Sequence, residues 1–352
     1  MPKLAIAPRL VATLLAFAPA LAFGGVPAAS AAEKVPIRFT LDWKYQGVHA
    51  PFLLAKEKGY FDAEGLDVTI DQGEGSAATV TRIASGAYDA GFGDINAGIQ
   101  QTATAPQTAP VMVYQIYNAA PFSVLVKADS EIATIGDLAG RTVGGPASAA
   151  ATRLLPALLA ANGVATDSVS VLNMQPNLQE QMLLRGDVAA SLVFNVTSYV
   201  NLIAQGQDPD RDFRWMDFAA NGLDLYSNGV MVSRTLAAEK PDAVRGLLRA
   251  IDRALRETIA DPQAGIAAVT ATEPLVDGKA ELARFDFAVR RVVATDETRR
   301  LGLGDLDDAR LDRSIATIAA AYDLPRTPSA GEVFDRSFLP PLGERRLPGL
   351  AE

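Results

Sequence analysis

One histidine, His49, stands among 352 residues, and cysteine is absent. A single imidazole cannot build a multi-histidine metal site, and without thiolates the chain offers no zinc cage. A hydrolytic triad could use His49, but no Gly-x-Ser-x-Gly elbow occurs to present a nucleophile. Asp305, Asp307, Asp308 and Asp312 cluster, yet the mid-loop glycine and final glutamate of a calcium loop are missing. Neither a catalytic group, a metal nor a cofactor is therefore expected, and the remaining chemistry is that of binding. Trp43 offers an aromatic face to a planar molecule. Gly75 and Ser76, at the end of Gly73-Glu74-Gly75-Ser76, form a turn before a helix, where free N–H groups favour anions. Ser76 also suits a plain helix cap, and the turn lacks the Gly-Lys-[Ser/Thr] ending of a phosphate loop. Ser148 closes a matching turn, Gly144-Gly145-Pro146-Ala147-Ser148. Asp94 suits a ligand with N–H donors or positive charge, or else caps the next helix.

These residues fall at element ends. Ile37–Leu41 has strand length, Pro51–Lys58 has helical apolar spacing stopped by Gly59, and Leu66–Ile70 alternates as a strand. Ala77–Ser85 reads as a helix, and Gly91-Phe92-Gly93-Asp94 closes a third strand. Alternating strands and helices predict an α/β fold with a mainly parallel sheet, ligands binding at its carboxyl edge. A second alternation follows. Ala149–Asn162 is a helix flawed by Pro156, Val169–Leu172 a strand and Gln179–Arg185 a helix, and the next strand runs to Asn195. Asn195 and Asp94 are read as equivalent pocket positions. Chain crossings are placed near Tyr117–Pro121 and Tyr226–Gly229, so that Tyr117, Asn118 and Tyr226 could close over a ligand. The helix Pro241–Ile259 buries Val244, Leu247, Leu248, Ile251 and Leu255 on one face. Helices are also expected over Ala280–Ala294 and Leu311–Ala321, with a proline-rich tail from Leu324 wrapping the surface.

Leu41-Asp42-Trp43, His49-Ala50-Pro51-Phe52, Lys58-Gly59-Tyr60-Phe61, Glu64-Gly65-Leu66 and Ala84-Ser85-Gly86 resemble the solute-binding proteins of ABC importers. The thiamine-pyrimidine-precursor branch is the most similar, with nitrate, sulfonate and taurine binders as relatives. Ile135-Gly136-Asp137-Leu138-Ala139-Gly140-Arg141 looks like the phrase that opens the second lobe of these proteins. The resemblance implies a two-lobe periplasmic binding protein fold, type II-like, with lobe I over 33–117 and 229–352 and lobe II over 118–228. It implies a small-molecule ligand, an ABC permease with its ATPase as partner, and a monomer. It places His49 at the start of the first helix, facing the cleft. It also brings an alternative, since fungal enzymes of this fold make the thiamine pyrimidine from their own histidine. Those enzymes carry a cysteine-rich metal motif that is absent here.

Residues 1–32 read as an export signal. Lys3 and Arg9 precede an apolar run, and Ala29-Ser30-Ala31 and Ser30-Ala31-Ala32 are small-residue cleavage patterns. Without a cysteine there is no lipoprotein anchor, which points to a free periplasmic protein. The net charge is −9, and losing Lys3 and Arg9 takes it to −11. Nucleic acid and anionic lipid need basic surface and are not expected partners.

Overall fold

The computed structural model describes residues 1–5 and 33–349. Most of the expected export signal lies outside the described residues. The fold is that of the unit beginning at Lys34.

In the first half, β1 (Val35–Thr40), β2 (Leu66–Asp71), β3 (Ala90–Asp94) and β4 (Val111–Gln115) alternate with helices. The helices are α1 (Ala50–Glu57), α2 (Ser76–Ala84) and α3 (Ile95–Thr104). Next come β5 (Phe122–Lys127), β6 (Thr142–Gly145), α4 (Leu155–Ala161), β7 (Ser170–Asn173) and α5 (Gln179–Arg185). After them run β8 (Ala190–Phe194), α6 (Asn195–Ala204) and β9 (Phe213–Asp217). β10 (Asn228–Val232) leads into α7 (Pro241–Ala260), α8 (Pro262–Thr272), α9 (Gly278–Ala288) and α10 (Asp308–Ala321).

The strands form two five-stranded sheets, ordered β2-β1-β3-β10-β4 and β7-β6-β8-β5-β9. Both are mixed rather than purely parallel. β10 runs antiparallel between β3 and β4, and β5 runs antiparallel between β8 and β9. The chain leaves one sheet for the other between β4 and β5 and returns between β9 and β10. The strand that follows each crossing enters its sheet in the opposite sense.

Local chemistry explains most elements. β2 alternates buried Leu66, Val68 and Ile70 with exposed Asp67, Thr69 and Asp71, one face inward. α7 opens with Pro241 and buries Val244, Leu247, Leu248 and Ile251 in the core cluster that also holds Ile37 and Phe39. Three expectations change. The helix read over Ala149–Asn162 is broken at Leu154 into Ala150–Arg153 and α4, because Pro156 is accommodated only in a helix's first turn. The helix read over Ala280–Ala294 ends as a wider π turn from Val289. The tail does not merely wrap the surface: Phe334 and Phe338 are buried, and Arg345 is buried against the carbonyls of Leu301, Leu303 and Pro340. No helix among the described residues is long and apolar enough to cross a membrane.

Candidate functional site

β1 ends at Thr40, and the next three residues lie on the carboxyl edge of the first sheet. Asp42 is buried there. Its Oδ1 accepts from His49 Nε2 at 2.7 Å, and its Oδ2 accepts from Asn228 Nδ2 at 2.7 Å. His49, fully buried in the turn before α1, accepts at Nδ1 from the Gln46 backbone N–H at 3.2 Å. This arrangement assigns the imidazole proton to Nε2 and leaves neither ring nitrogen free. The His-Ala-Pro histidine therefore supplies a wall of the cleft, held by Asp42, which also binds Asn228 of β10; the imidazole has no spare atom for acid–base work.

Between the sheet edges lies a narrow pocket with a cavity volume of about 30 Å³, part of it open to solvent. Its first-sheet side carries Trp43, His49, Ser76 and Tyr117. Its second-sheet side carries Gln179, Leu192 and Phe194, and the first turn of α6, Val196 to Ser198. Trp43, Tyr117 and Phe194 give flat apolar faces. Among the described residues no lysine or arginine lines the pocket, and the one carboxylate there, Asp42, accepts from His49 and Asn228.

The polar capacity left over is small. Ser76 is 2% exposed, and its Oγ has no partner among the described residues. The N-cap of α2 is Gly75, so the Ser76 hydroxyl does not cap that helix. The Tyr117 hydroxyl makes no hydrogen bond to another described residue, and burial, with Asp42 nearby, holds its pKa well above the usual phenol range. These are hydroxyls waiting for a hydrogen-bond partner, set among aromatic faces.

The other residues singled out in the sequence sit elsewhere. The two glycine turns meet each other across the cleft instead of facing it. Ser148 Oγ donates to the Glu74 carbonyl, and Ala77 N–H donates to the Ser148 carbonyl at 3.2 Å. Gly75, at φ +139°, comes so close that a Cβ would lie 2.3 Å from the Ser148 oxygen. Ser148 lines the outer mouth, together with Trp43, Lys44 and Asn177, and not the inner pocket. Asp94 is the N-cap of α3, accepting from Asn96 N at 3.1 Å and Nδ2 at 2.8 Å. Burial pushes its carboxyl up to about 7. Asn195 begins α6 and turns to Asp217 at 3.3 Å, beside the pocket but not among its lining residues.

Asn118 and Tyr226 belong to the crossings and point away from the cleft. Asn118 Nδ2 and Tyr226 Oη both donate to Glu297 Oε1, at 2.9 and 2.5 Å. Arg310 joins the same cluster, donating to the Asn118 carbonyl at 3.0 Å and Asp224 at 2.7 Å, with its guanidinium 4.2 Å from the Tyr226 ring centre. The two crossings are thus clamped by Glu297, ahead of α10, and by Arg310 in its first turn. Of the sequence candidates, Trp43, His49, Ser76 and Tyr117 come together in one pocket. Gln46, Gln179, Phe194 and Thr197 were missed. A helix starting directly after β8, as α3 does after β3, was the signal that could have found Thr197.

No group of three or more metal-binding side chains occurs among the described residues. Residues 46–265 match the family described as NMT1/THI5 like. The chain is 26% identical over 304 residues to the riboflavin-binding protein RibY of Chloroflexus aurantiacus, covering 83% of this chain and 82% of that one. It is 25% identical over 249 residues to 4-amino-5-hydroxymethyl-2-methylpyrimidine phosphate synthase of Aspergillus parasiticus, covering 68% and 71%. Among solved structures, the alkanesulfonate-binding protein SsuA from Xanthomonas axonopodis pv. citri superposes with a TM-score of 0.66 at 18% identity, over 87% of this chain and all of that one. The architecture is the periplasmic binding protein fold.

Proposed function

The chain belongs to the NMT1/THI5-like family, and from that premise we propose that it is an exported substrate-binding component of an ABC importer. It captures a flat, uncharged nitrogen heterocycle between its lobes and hands it to the permease. The observation that carries this reading is the lining of the pocket: aromatic faces, unpartnered hydroxyls and, among the described residues, no cationic side chain. A bare sulfonate or nitrate would lose its hydration there without a countercharge, which is costly. A pyrimidine, or a flavin as in the name of one relative, offers planar area and acceptor atoms for Ser76 and Tyr117. Ligand touching both lobes favours the closed state by its differential affinity. The crossings at 116–122 and 217–228 serve as the hinge.

The test is a thermal-shift panel, followed by calorimetry, with 4-amino-5-hydroxymethyl-2-methylpyrimidine, riboflavin, taurine and nitrate. A ligand at a hundred times its Kd adds ~2.7 kcal/mol. A heterocycle should stabilise the protein and the two anions should not. Taurine or nitrate binding more tightly than both heterocycles overturns the ligand class.

The second reading is a pyrimidine-forming enzyme, suggested by the synthase among the relatives. The commitment of both His49 nitrogens and the absence of cysteine speak against it. Incubation with pyridoxal phosphate and iron, followed by intact-mass measurement, should leave His49 unchanged.

A further inference from the structure

α9 is anchored on the first-lobe core, where Phe285 and Ala288 share a cluster with Ile37 and Phe39. It nevertheless reaches across to α6, which follows the second sheet. The bridge is Arg284, only 3% exposed. Its Nε donates to Glu281 Oε2, one turn back on the same helix, at 2.9 Å. Its Nη1 donates to the Thr197 carbonyl at 2.6 Å, with Val196 O at 3.4 Å, and its Nη2 donates to Asn201 Oδ1 at 2.9 Å. Asn201 passes the contact on, donating from Nδ2 to the buried Glu180 at 3.2 Å. Glu281 is itself tied to the cleft wall, accepting from Gly47 N–H at 2.6 Å. Gly47 is packed so closely here that a Cβ would sit 2.0 Å from the Glu281 carbonyl oxygen. Beside the bridge, Phe287 of α9 stacks on Tyr199 of α6 with ring centres 4.7 Å apart.

The carbonyls that Arg284 grips belong to Val196 and Thr197, two of the residues that wall the pocket. We propose that Arg284 is the closing latch of the cleft, the positioning residue that draws the first turn of α6 against the first lobe and so sets the far wall of the pocket. The ion pair lies within one helix, so it survives opening and no charge is left alone. Of the bonds that Arg284 makes, opening severs only those to α6. Making those bonds from Nη1 and Nη2 while Nε holds Glu281 needs a rigid planar fork, whereas the three donors of lysine sit on one nitrogen. This inference rests on the lobe closure proposed above, but it concerns the protein without ligand.

The test uses the cysteine-free background. Lys44→Cys and Asn177→Cys, both exposed and both lining the outer mouth, carry spin labels for double electron–electron resonance on the ligand-free protein. The double-labelled parent should show a short-distance population. Arg284→Gln should lower its ratio to the long-distance population about tenfold, the loss expected from charge-assisted hydrogen bonds. Arg284→Lys should not restore it. Asn201→Ala should move the ratio in the same direction by less, and serves if Arg284→Gln fails to fold. Arg249→Gln, which breaks an exposed pair with Glu64 inside the first lobe, should leave the ratio unchanged. A parent with no short-distance population, an unchanged ratio in Arg284→Gln or in Asn201→Ala, or full recovery in Arg284→Lys overturns the latch. A ligand panel without a hit would sink the transport reading and leave this result standing.

Discussion

Replacing Ser76 by alanine should make the ligand-free protein more stable and its ligand complex weaker. The hydroxyl is buried and unpartnered, and it caps nothing, because Gly75 occupies the N-cap of α2. A buried hydroxyl without a partner costs roughly 1–3 kcal/mol by protein mutational data. Removing it leaves a void of about one oxygen, which takes back part of the gain, so a net stabilisation of about 1 kcal/mol is expected. In the complex the same hydroxyl satisfies an acceptor on the ligand. Losing that bond costs about 0.5–1.5 kcal/mol, or roughly twofold to tenfold in Kd. Urea unfolding of the apo protein reads the first effect and calorimetry with the best heterocycle reads the second. The opposite signs matter, because a residue that only supports the fold would lose stability and keep its affinity. A destabilised apo protein with unchanged Kd would refute the assignment of Ser76 to the ligand.

Trp43→Ala should weaken a flat ligand by roughly tenfold to a hundredfold, since aromatic stacking on a base is worth ~1–3 kcal/mol; calorimetry checks it, and an unchanged Kd would remove Trp43 from the site. Asp42→Ala strips the acceptor from both His49 and Asn228, so two buried donors lose their partner, and urea unfolding should show a loss of about 2–5 kcal/mol. Asp94 has a folded-state pKa of about 7, raised by burial above the usual carboxylate value. Its stabilising contribution is complete below pH ~4 and lost as pH rises through ~7, worth at most about 4 kcal/mol. Asp94→Asn should therefore gain stability relative to the parent between pH 5 and pH 8 with ligand affinity unchanged, and a difference that does not vary with pH would contradict the burial argument.

Much of this molecule was legible because local signals and tertiary demands agree. α2 lies one residue from the expected Ala77–Ser85, and α5 spans the expected Gln179–Arg185. The positions of Trp43 and Ser76 after strands were enough to bring them to the pocket. What could not be read was the partner of each polar group. Asp94, Asn118 and Tyr226 have the right types for ligand contact and sit at the right element ends, yet helix capping and the Glu297–Arg310 cluster claim them. Glu297, which holds Asn118 and Tyr226, lies far along the chain, where no spacing rule encodes it, whereas the cap at Asp94 was one of the two readings its sequence allowed. The glycine turns failed in the same way: each has the geometry to approach a ligand, and each approaches the other. Arg284 was invisible because, in sequence, it is one basic residue on a mixed helix.

The place of β10 has a consequence for the order in which the molecule is assembled. Within the first sheet, β4 is joined to β3 only through β10. Every strand of the second sheet lies in one uninterrupted stretch between Phe122 and Asp217. The second sheet can therefore close on itself while β4 still waits. Loop-closure entropy makes such long-range pairing slow, so completion of the first sheet should be the late step. Pulsed hydrogen exchange during refolding should protect Val124 and Leu192 before Val230. The cleft, which needs both edges, then exists only once the last strand has been threaded between its neighbours.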